Sequence, residues 1–290
     1  MVDGPPCYAN KSFQSAGSAG LHRLSYLEGG EGRAIVMVPG WSQAATIFAR
    51  QFDDFCGVAR VIALDHRGHG ESDKPDHGYR IQRLAKDLFE LINGLGLAEF
   101  DILAHSAGAA AAWSYMSLFG AERAPRRLVL IDEPRALLAR PDWSKAECEE
   151  AGAIIPSLEA LSELVSKVCA SDRPESMAEL LRPMFTEAVP EAELLAIARE
   201  ILKLPRAHAA DLIADNIIQD WRGVIESLHL PTLAFGGEAS LCPTACQRWI
   251  ARTIPGAELE IFPAGEGGSH FLFYENPSRF NARVVQFLTG

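Results

Sequence analysis

A chain of 290 residues is long enough to bury a large core, and 48% hydrophobic with 22% charged residues excludes a disordered or fibrous protein. A net charge of -11, from 38 acidic and 27 basic residues, argues against nucleic acid as a partner, since phosphate binding requires clustered Lys and Arg. No apolar run approaches the roughly 18 residues of a membrane span, and the opening Met1-Val2-Asp3-Gly4-Pro5-Pro6 lacks the basic start and apolar stretch of a secretory signal.

Six cysteines (Cys7, Cys56, Cys148, Cys169, Cys242 and Cys246) are scattered along a long chain, which favours reduced thiols and, with no secretory signal, a cytoplasmic location. Cys242 and Cys246 lack a second Cys/His pair at finger spacing, so they read as packing residues and no metal is expected.

In chain order, Ala34–Val38 is a short β-branched run stopped by Pro39-Gly40, which predicts a strand and a turn. Thr46–Phe52 predicts a helix, and Ala59–Leu64 a second strand that runs into the Gly-rich loop Asp65–Ser72. From Arg80 to Leu95, Ile81, Leu84, Leu88, Leu91 and Ile92 recur at helical spacing. Asp101–Ala104 predicts a strand, Ala107–Phe119 a helix, and Arg127–Ile131, Thr232–Phe235 and Glu258–Phe262 three more strands before a last helix over Pro277–Leu288. Non-alternating apolar strands between amphipathic helices imply an α/β fold: a mostly parallel central sheet flanked by helices.

One stretch breaks this rhythm. Between Pro134 and Leu228 no strand is convincing, and Leu158–Val168, Met177–Phe185 and Ala192–Leu202 read as helices. The expected organisation is an α/β core over residues 1–133 and 229–290, with a helical cap inserted at 134–228.

The strongest chemical signal is Ala104-His105-Ser106-Ala107-Gly108, set between a strand and a helix. A serine in such a tight turn is lifted above the sheet, and small neighbours two residues to either side spare the backbone a clash. A hydroxyl is a poor nucleophile at neutral pH and needs a base. His270, in the Gly265–Gly268 loop region between the last strand and the last helix, is the best placed of the eight histidines.

With these residues the chain resembles the α/β-hydrolase superfamily from roughly Ser25 to Gly290. The matching segments are Pro39-Gly40-Trp41, Asp65–Ser72, Ala104–Gly108 and Ser269-His270-Phe271. It is most similar to the cofactor-free haloperoxidase-like esterases, and more distantly to the cofactor-free dioxygenases that cleave hydroxy-oxoquinolines on the same fold. Ala104 and Ala109 stand where the family commonly has glycine. The resemblance implies the α/β-hydrolase fold, Ser106 as nucleophile, His270 as base, and the backbone N–H groups of Trp41 and Ala107 as an oxyanion hole.

The acid that would orient His270 is displaced. Most family members carry an Asp after the penultimate strand, where this chain has Gly236-Gly237-Glu238-Ala239-Ser240, with Ser240 at the expected Asp position. Asp132, directly after the Leu128–Ile131 strand, is the favoured replacement, with Glu133 and Glu238 as alternatives. Some relatives, the dioxygenases among them, carry the acid at that earlier strand end. His105, Trp143, Met184 and Phe185 are expected to touch a small-molecule substrate, and no cofactor is required by any motif present.

Three functions follow from the resemblance: hydrolysis of a carboxylic ester or lactone through an acyl-enzyme, cofactor-free oxygenation of a quinolone-type heteroaromatic, or ligand binding without turnover. Epoxide hydrolases and dehalogenases need an acidic nucleophile where Ser106 stands, which sets them aside.

Overall fold

A computed structural model describes residues 6–17 and 20–290. Among the described residues, eight strands form one sheet: β1 (Tyr8–Gly17), β2 (Gly20–Gly29), β3 (Ala34–Val38), β4 (Arg60–Leu64), β5 (Phe100–His105), β6 (Leu128–Ile131), β7 (Thr232–Gly237) and β8 (Glu258–Phe262). Their order is β1-β2-β4-β3-β5-β6-β7-β8. β1 and β2 are antiparallel, as are β2 and β4, and every pairing from β4 to β8 is parallel.

The helices are α1 (Ala49–Cys56), α2 (Ile81–Gly94), α3 (Ala107–Phe119), α4 (Lys145–Ala151), α5 (Leu158–Ala170), α6 (Pro174–Leu181), α7 (Glu191–Ile201), α8 (Arg206–Ile217), α9 (Arg222–Glu226), α10 (Thr244–Thr253), α11 (Leu272–Glu275) and α12 (Pro277–Thr289). None is long and apolar enough to cross a membrane among the described residues.

β3 and β6 are apolar at every position because both faces of the sheet are covered. Val36, Val38, Ile62, Leu64, Ile102 and Leu130 pack with the inner faces of α2 and α3, whereas Ile35, Met37, Val61, Leu103, Val129 and Ile131 pack with Phe52 and Phe55 of α1 and Phe280 and Val284 of α12. Alternate residues of one strand thus enter opposite layers.

α3 approaches the sheet closely because its first turns are almost all Ala and Gly. A Cβ on Gly108 would sit 2.3 Å from the Val38 carbonyl oxygen, so no larger residue fits there without a shift. Four alanines, Ala109–Ala112, follow it, all buried.

Between β6 and β7 the chain forms α4 to α9 and no strand. The helix expected over Met177–Phe185 ends at Leu181, and Pro183 falls in a single 3-10 turn, Arg182–Met184. Proline lacks the N–H and crowds the preceding residue out of the helix. The helix expected over Thr46–Phe52 is likewise split, into a 3-10 turn at Ala45–Phe48 and then α1.

Candidate active site

Ser106 links β5 to α3 with φ 52° and ψ −134°, a positive-φ conformation that costs a non-glycine residue about 1–3 kcal/mol. Two hydrogen bonds hold it: Ser106 N–H donates to Ile131 O at 2.9 Å, and Ala109 N–H donates to Ser106 O at 2.6 Å. Gly40 lies directly against the turn, since a Cβ there would be 3.0 Å from Ser106 Cβ.

Ala107 is the first residue of α3, so its N–H has no acceptor within the helix. Trp41 lies in the turn after β3 and lines the same pocket as Ser106 and Ala107. Its indole is buried and its Nε1–H donates to Ala209 O at 2.7 Å, which ties the turn to α8.

The Gly-rich loop after β4 supports this turn. His66 Nε2 donates to Pro39 O at 3.1 Å, and Ser42 N–H donates to His69 Nε2 at 3.1 Å. Burial lowers the His66 pKa to about 4 and the His69 pKa to about 3, so both rings are neutral near pH 7. Arg67 forms a buried two-pronged ion pair with Asp87, at 2.5 and 2.7 Å.

His270 and Asp132 meet. His270 Nδ1–H donates to Asp132 Oδ2 at 2.7 Å, and the carboxyl is fully buried. Asp132 has φ 51°, which turns the chain sharply at the end of β6, while its N–H continues the ladder to Phe235 O at 3.0 Å. Ser240, on the loop after β7, donates its hydroxyl to the same Oδ2. Cys242 N–H in turn donates to Ser240 Oγ at 3.0 Å, so the serine proton is free for Asp132. Glu238 is exposed, and its carboxyl accepts from Ala264 N–H at 3.3 Å.

Asp132, Cys242 and His270 offer an oxygen, a sulfur and a nitrogen within 4.8 Å of one another, a possible metal donor set. Two of these atoms already bond each other, and burial pushes the Cys242 thiol well above its ordinary range. With His270 Nδ1 donating its proton to Asp132 Oδ2, two of the three are arranged as a hydrogen-bonded pair rather than as open donors.

Ser106 and His270 line one pocket of about 100 Å3, together with Trp41, Ala107, Glu133, Leu137, Ile154, Ile155, Leu164, Met184, Ile213, Asn216, Ile217, Leu241 and Cys242. Met184, expected as a lining residue, is there. His105, Trp143 and Phe185 are not, each for a physical reason.

His105 is fully buried behind the turn, with Nε2 donating to His270 O at 2.9 Å and Nδ1 3.1 Å from the Gln43 side-chain amide. It braces the segment that carries His270. Phe185 stacks flat on Phe271, with centroids 4.2 Å apart, and belongs to the core layer. Trp143 faces a separate surface groove, beneath the guanidinium groups of Arg135, Arg140 and Arg222.

Glu133, adjacent to Asp132, has a different environment. Its side chain is buried, and Asn216 Nδ2 of α8 donates to its Oε1 at 3.1 Å. Burial pushes its carboxyl up to about 8, against hydrogen bonds from Asn216 and Ser106 and with the Asp132 charge adding to the rise. It is therefore neutral near pH 7.

The sequence profile of the alpha/beta hydrolase family matches residues 35–283. AB hydrolase superfamily protein YisY of Bacillus subtilis (strain 168) is 27% identical over 263 residues, covering 89% of this chain and 92% of that protein. Among solved structures, a bromoperoxidase from Bacillus anthracis superposes with a TM-score of 0.85 at 22% identity, covering 97% of this chain and 100% of that one. An esterase from Exiguobacterium antarcticum gives 0.81 at 22% identity, with the same coverage of 97% and 100%. At these identities the structural likeness is one of fold.

Proposed function

The chain belongs to the alpha/beta hydrolase family, and on that premise we propose that it hydrolyses a carboxylic ester or lactone of a small organic molecule through an acyl-enzyme. The observation that carries this reading is the 2.7 Å bond from His270 Nδ1 to the buried Asp132 carboxyl, in a site where His270 and a strained Ser106 share one pocket.

With Nδ1 donating to Asp132, the lone pair of His270 is left on Nε2. Ser106 Oγ attacks the carbonyl carbon while Nε2 takes its proton. The resulting oxyanion is held by the N–H groups of Trp41 and Ala107, worth about 3 kcal/mol each in a dry, preorganised site. Collapse breaks the C–O bond, and His270 returns the proton to the departing alcohol oxygen. Water then repeats the sequence on the acyl-enzyme, releasing the acid and restoring Ser106. The imidazolium formed in each half is stabilised by Asp132, whose Oδ2 also accepts from Ser240.

Leu137, Ile154 and Ile155, together with side chains of α5 and α8, form much of the pocket wall, so helices α4 to α9 act as a cap that sets acyl preference. A volume of about 100 Å3 suits an acyl group of a few carbons.

The test is a panel of p-nitrophenyl esters and lactones on wild type, Ser106→Ala, His270→Ala and Asp132→Asn. Turnover in wild type and its loss in all three variants supports the reading, and Ser106→Ala hydrolysing at the wild-type rate refutes it. A second reading, cofactor-free oxygenation of a heteroaromatic substrate, is favoured by an acid at the end of β6. It predicts oxygen uptake with quinolone-type substrates that partly survives Ser106→Ala.

A further inference from the structure

Apart from Ser106 and His270 the wall of the pocket is apolar except at one place, beside Ser106, where Glu133 at the end of β6 meets Asn216 of α8. Each residue is 3% exposed. We propose that this pair recognises a hydroxyl group on the acyl chain of the substrate, one or two carbons from the carbonyl that Ser106 attacks. The proposal rests on the acyl-enzyme reading and names the substrate class it would serve: esters or lactones of short hydroxyacids.

The pair is polar and half-used. Asn216 Nδ2 donates to Glu133 Oε1 at 3.1 Å, while Asn216 Oδ1 is buried with no hydrogen-bond partner. Reversing the amide would leave its nitrogen unpartnered instead, so one amide atom lacks a partner in either orientation. Burying such an atom is costly unless a ligand supplies its partner. Glu133, held neutral by burial, offers an O–H donor beside that acceptor. A hydroxyl both donates and accepts, so it satisfies the two together.

Other groups fit less well. An alkyl chain leaves both polar atoms unpaired. A carboxylate finds no Lys or Arg among the lining residues. An ammonium requires Glu133 to ionise beside the Asp132 carboxylate, which already opposes ionisation. The reach is set by Ser106, whose hydroxyl lies close enough to favour the charged Glu133 by hydrogen bonding. Since the acyl carbon becomes bonded to Ser106 Oγ, a group held by Glu133 must lie near the carbonyl, on the acyl side.

The experiment compares ethyl butyrate with ethyl 2-hydroxybutyrate and ethyl 3-hydroxybutyrate by pH-stat titration at pH 7, reading the ratio of kcat/KM. Wild type is expected to prefer one hydroxyester by roughly ten- to hundredfold. Glu133→Leu and Asn216→Leu should each cut that ratio at least about fivefold, whereas Glu133→Gln, whose amide still donates, should keep most of it. A purely structural pair would alter both esters together and leave the ratio unchanged. Equal rates in wild type, or a preference that survives Glu133→Leu in a sample with a cooperative thermal transition, overturns the proposal. Turnover of none of the three ethyl esters overturns it as well. The p-nitrophenyl ester panel then separates the two claims: activity there that depends on Ser106 leaves the hydrolase reading standing, and its absence removes that reading too.

Discussion

The ends of β6 and β7 lie side by side in a parallel pair, and they treat their acidic residues differently. At the end of β6, a left-handed turn at Asp132 buries the carboxyl against His270, and the next residue, Glu133, is buried on the pocket wall. At the end of β7, Glu238 is exposed and Ser240 supplies a hydroxyl to Asp132 instead of a carboxylate to His270. A carboxylate at both ends would place two like charges around one imidazole, which is costly in a buried site. One strand end carries the charge and its neighbour carries the hydrogen bond. The same economy separates Asp132 from Glu133: adjacent in sequence, one is matched to donors on His270 and Ser240, whereas the other has Asn216 and Ser106 against full burial and is pushed up to about 8.

Exchanging groups between the two ends is the way to break this contrast. On the proposed reading, Asp132→Asn should lower kcat by about 10⁴-fold, since an amide at that place selects the wrong imidazole tautomer. A loss below tenfold, measured on the best p-nitrophenyl ester, would mean that the acid lies elsewhere. Adding Ser240→Asp to Asp132→Asn returns a carboxylate from β7 and should recover roughly a hundredfold of that loss, because Ser240 already reaches the oxygen that His270 uses. Ser240→Ala alone removes one hydrogen bond to a charged acceptor and should lower kcat by about tenfold with KM little changed.

Glu133 sharpens the contrast through stability. Its folded pKa of about 8 lies above the ordinary carboxylate value, so the folded state holds a proton that the unfolded chain releases. Its contribution is complete below the unfolded pKa and is lost as pH rises towards about 8. Between these values urea-unfolding free energies should fall by up to about 1.4 kcal/mol per pH unit from this group. Glu133→Gln should flatten that decline; an unchanged slope would show Glu133 to be ionised in the folded protein. The smallest effect belongs to Glu238→Gln, an exposed group, which should alter kcat by less than about twofold.

Much of the fold was legible because strands buried on both faces are mostly apolar, and Ala34–Val38 and Leu128–Ile131 have no polar position to obscure them. β1 and β2 were not. β1 is a polar edge strand, and β2 interrupts its buried Leu24 and Tyr26 with His22, Arg23 and Ser25. At the site, Ser106 and its glycine neighbour Gly108 stood out because the strained turn and the close approach of α3 restrict residue type. Asn216 gave no such signal: it reaches Glu133 through the packing of α8, with no local pattern to mark it. Aromaticity alone misled for Trp143 and Phe185, since a stack of guanidinium groups and a core phenylalanine satisfy those rings without a ligand.

The most direct test of a nucleophile at Ser106 served by an acid from β6 is the rate at which a small alkyl fluorophosphonate modifies the protein, read by intact mass and peptide mapping. The account predicts a single adduct on Ser106, formed at the wild-type rate in Glu238→Gln and about 10³-fold or more slowly in Asp132→Asn. An adduct on another residue, or equal labelling rates in wild type and Asp132→Asn, would contradict it.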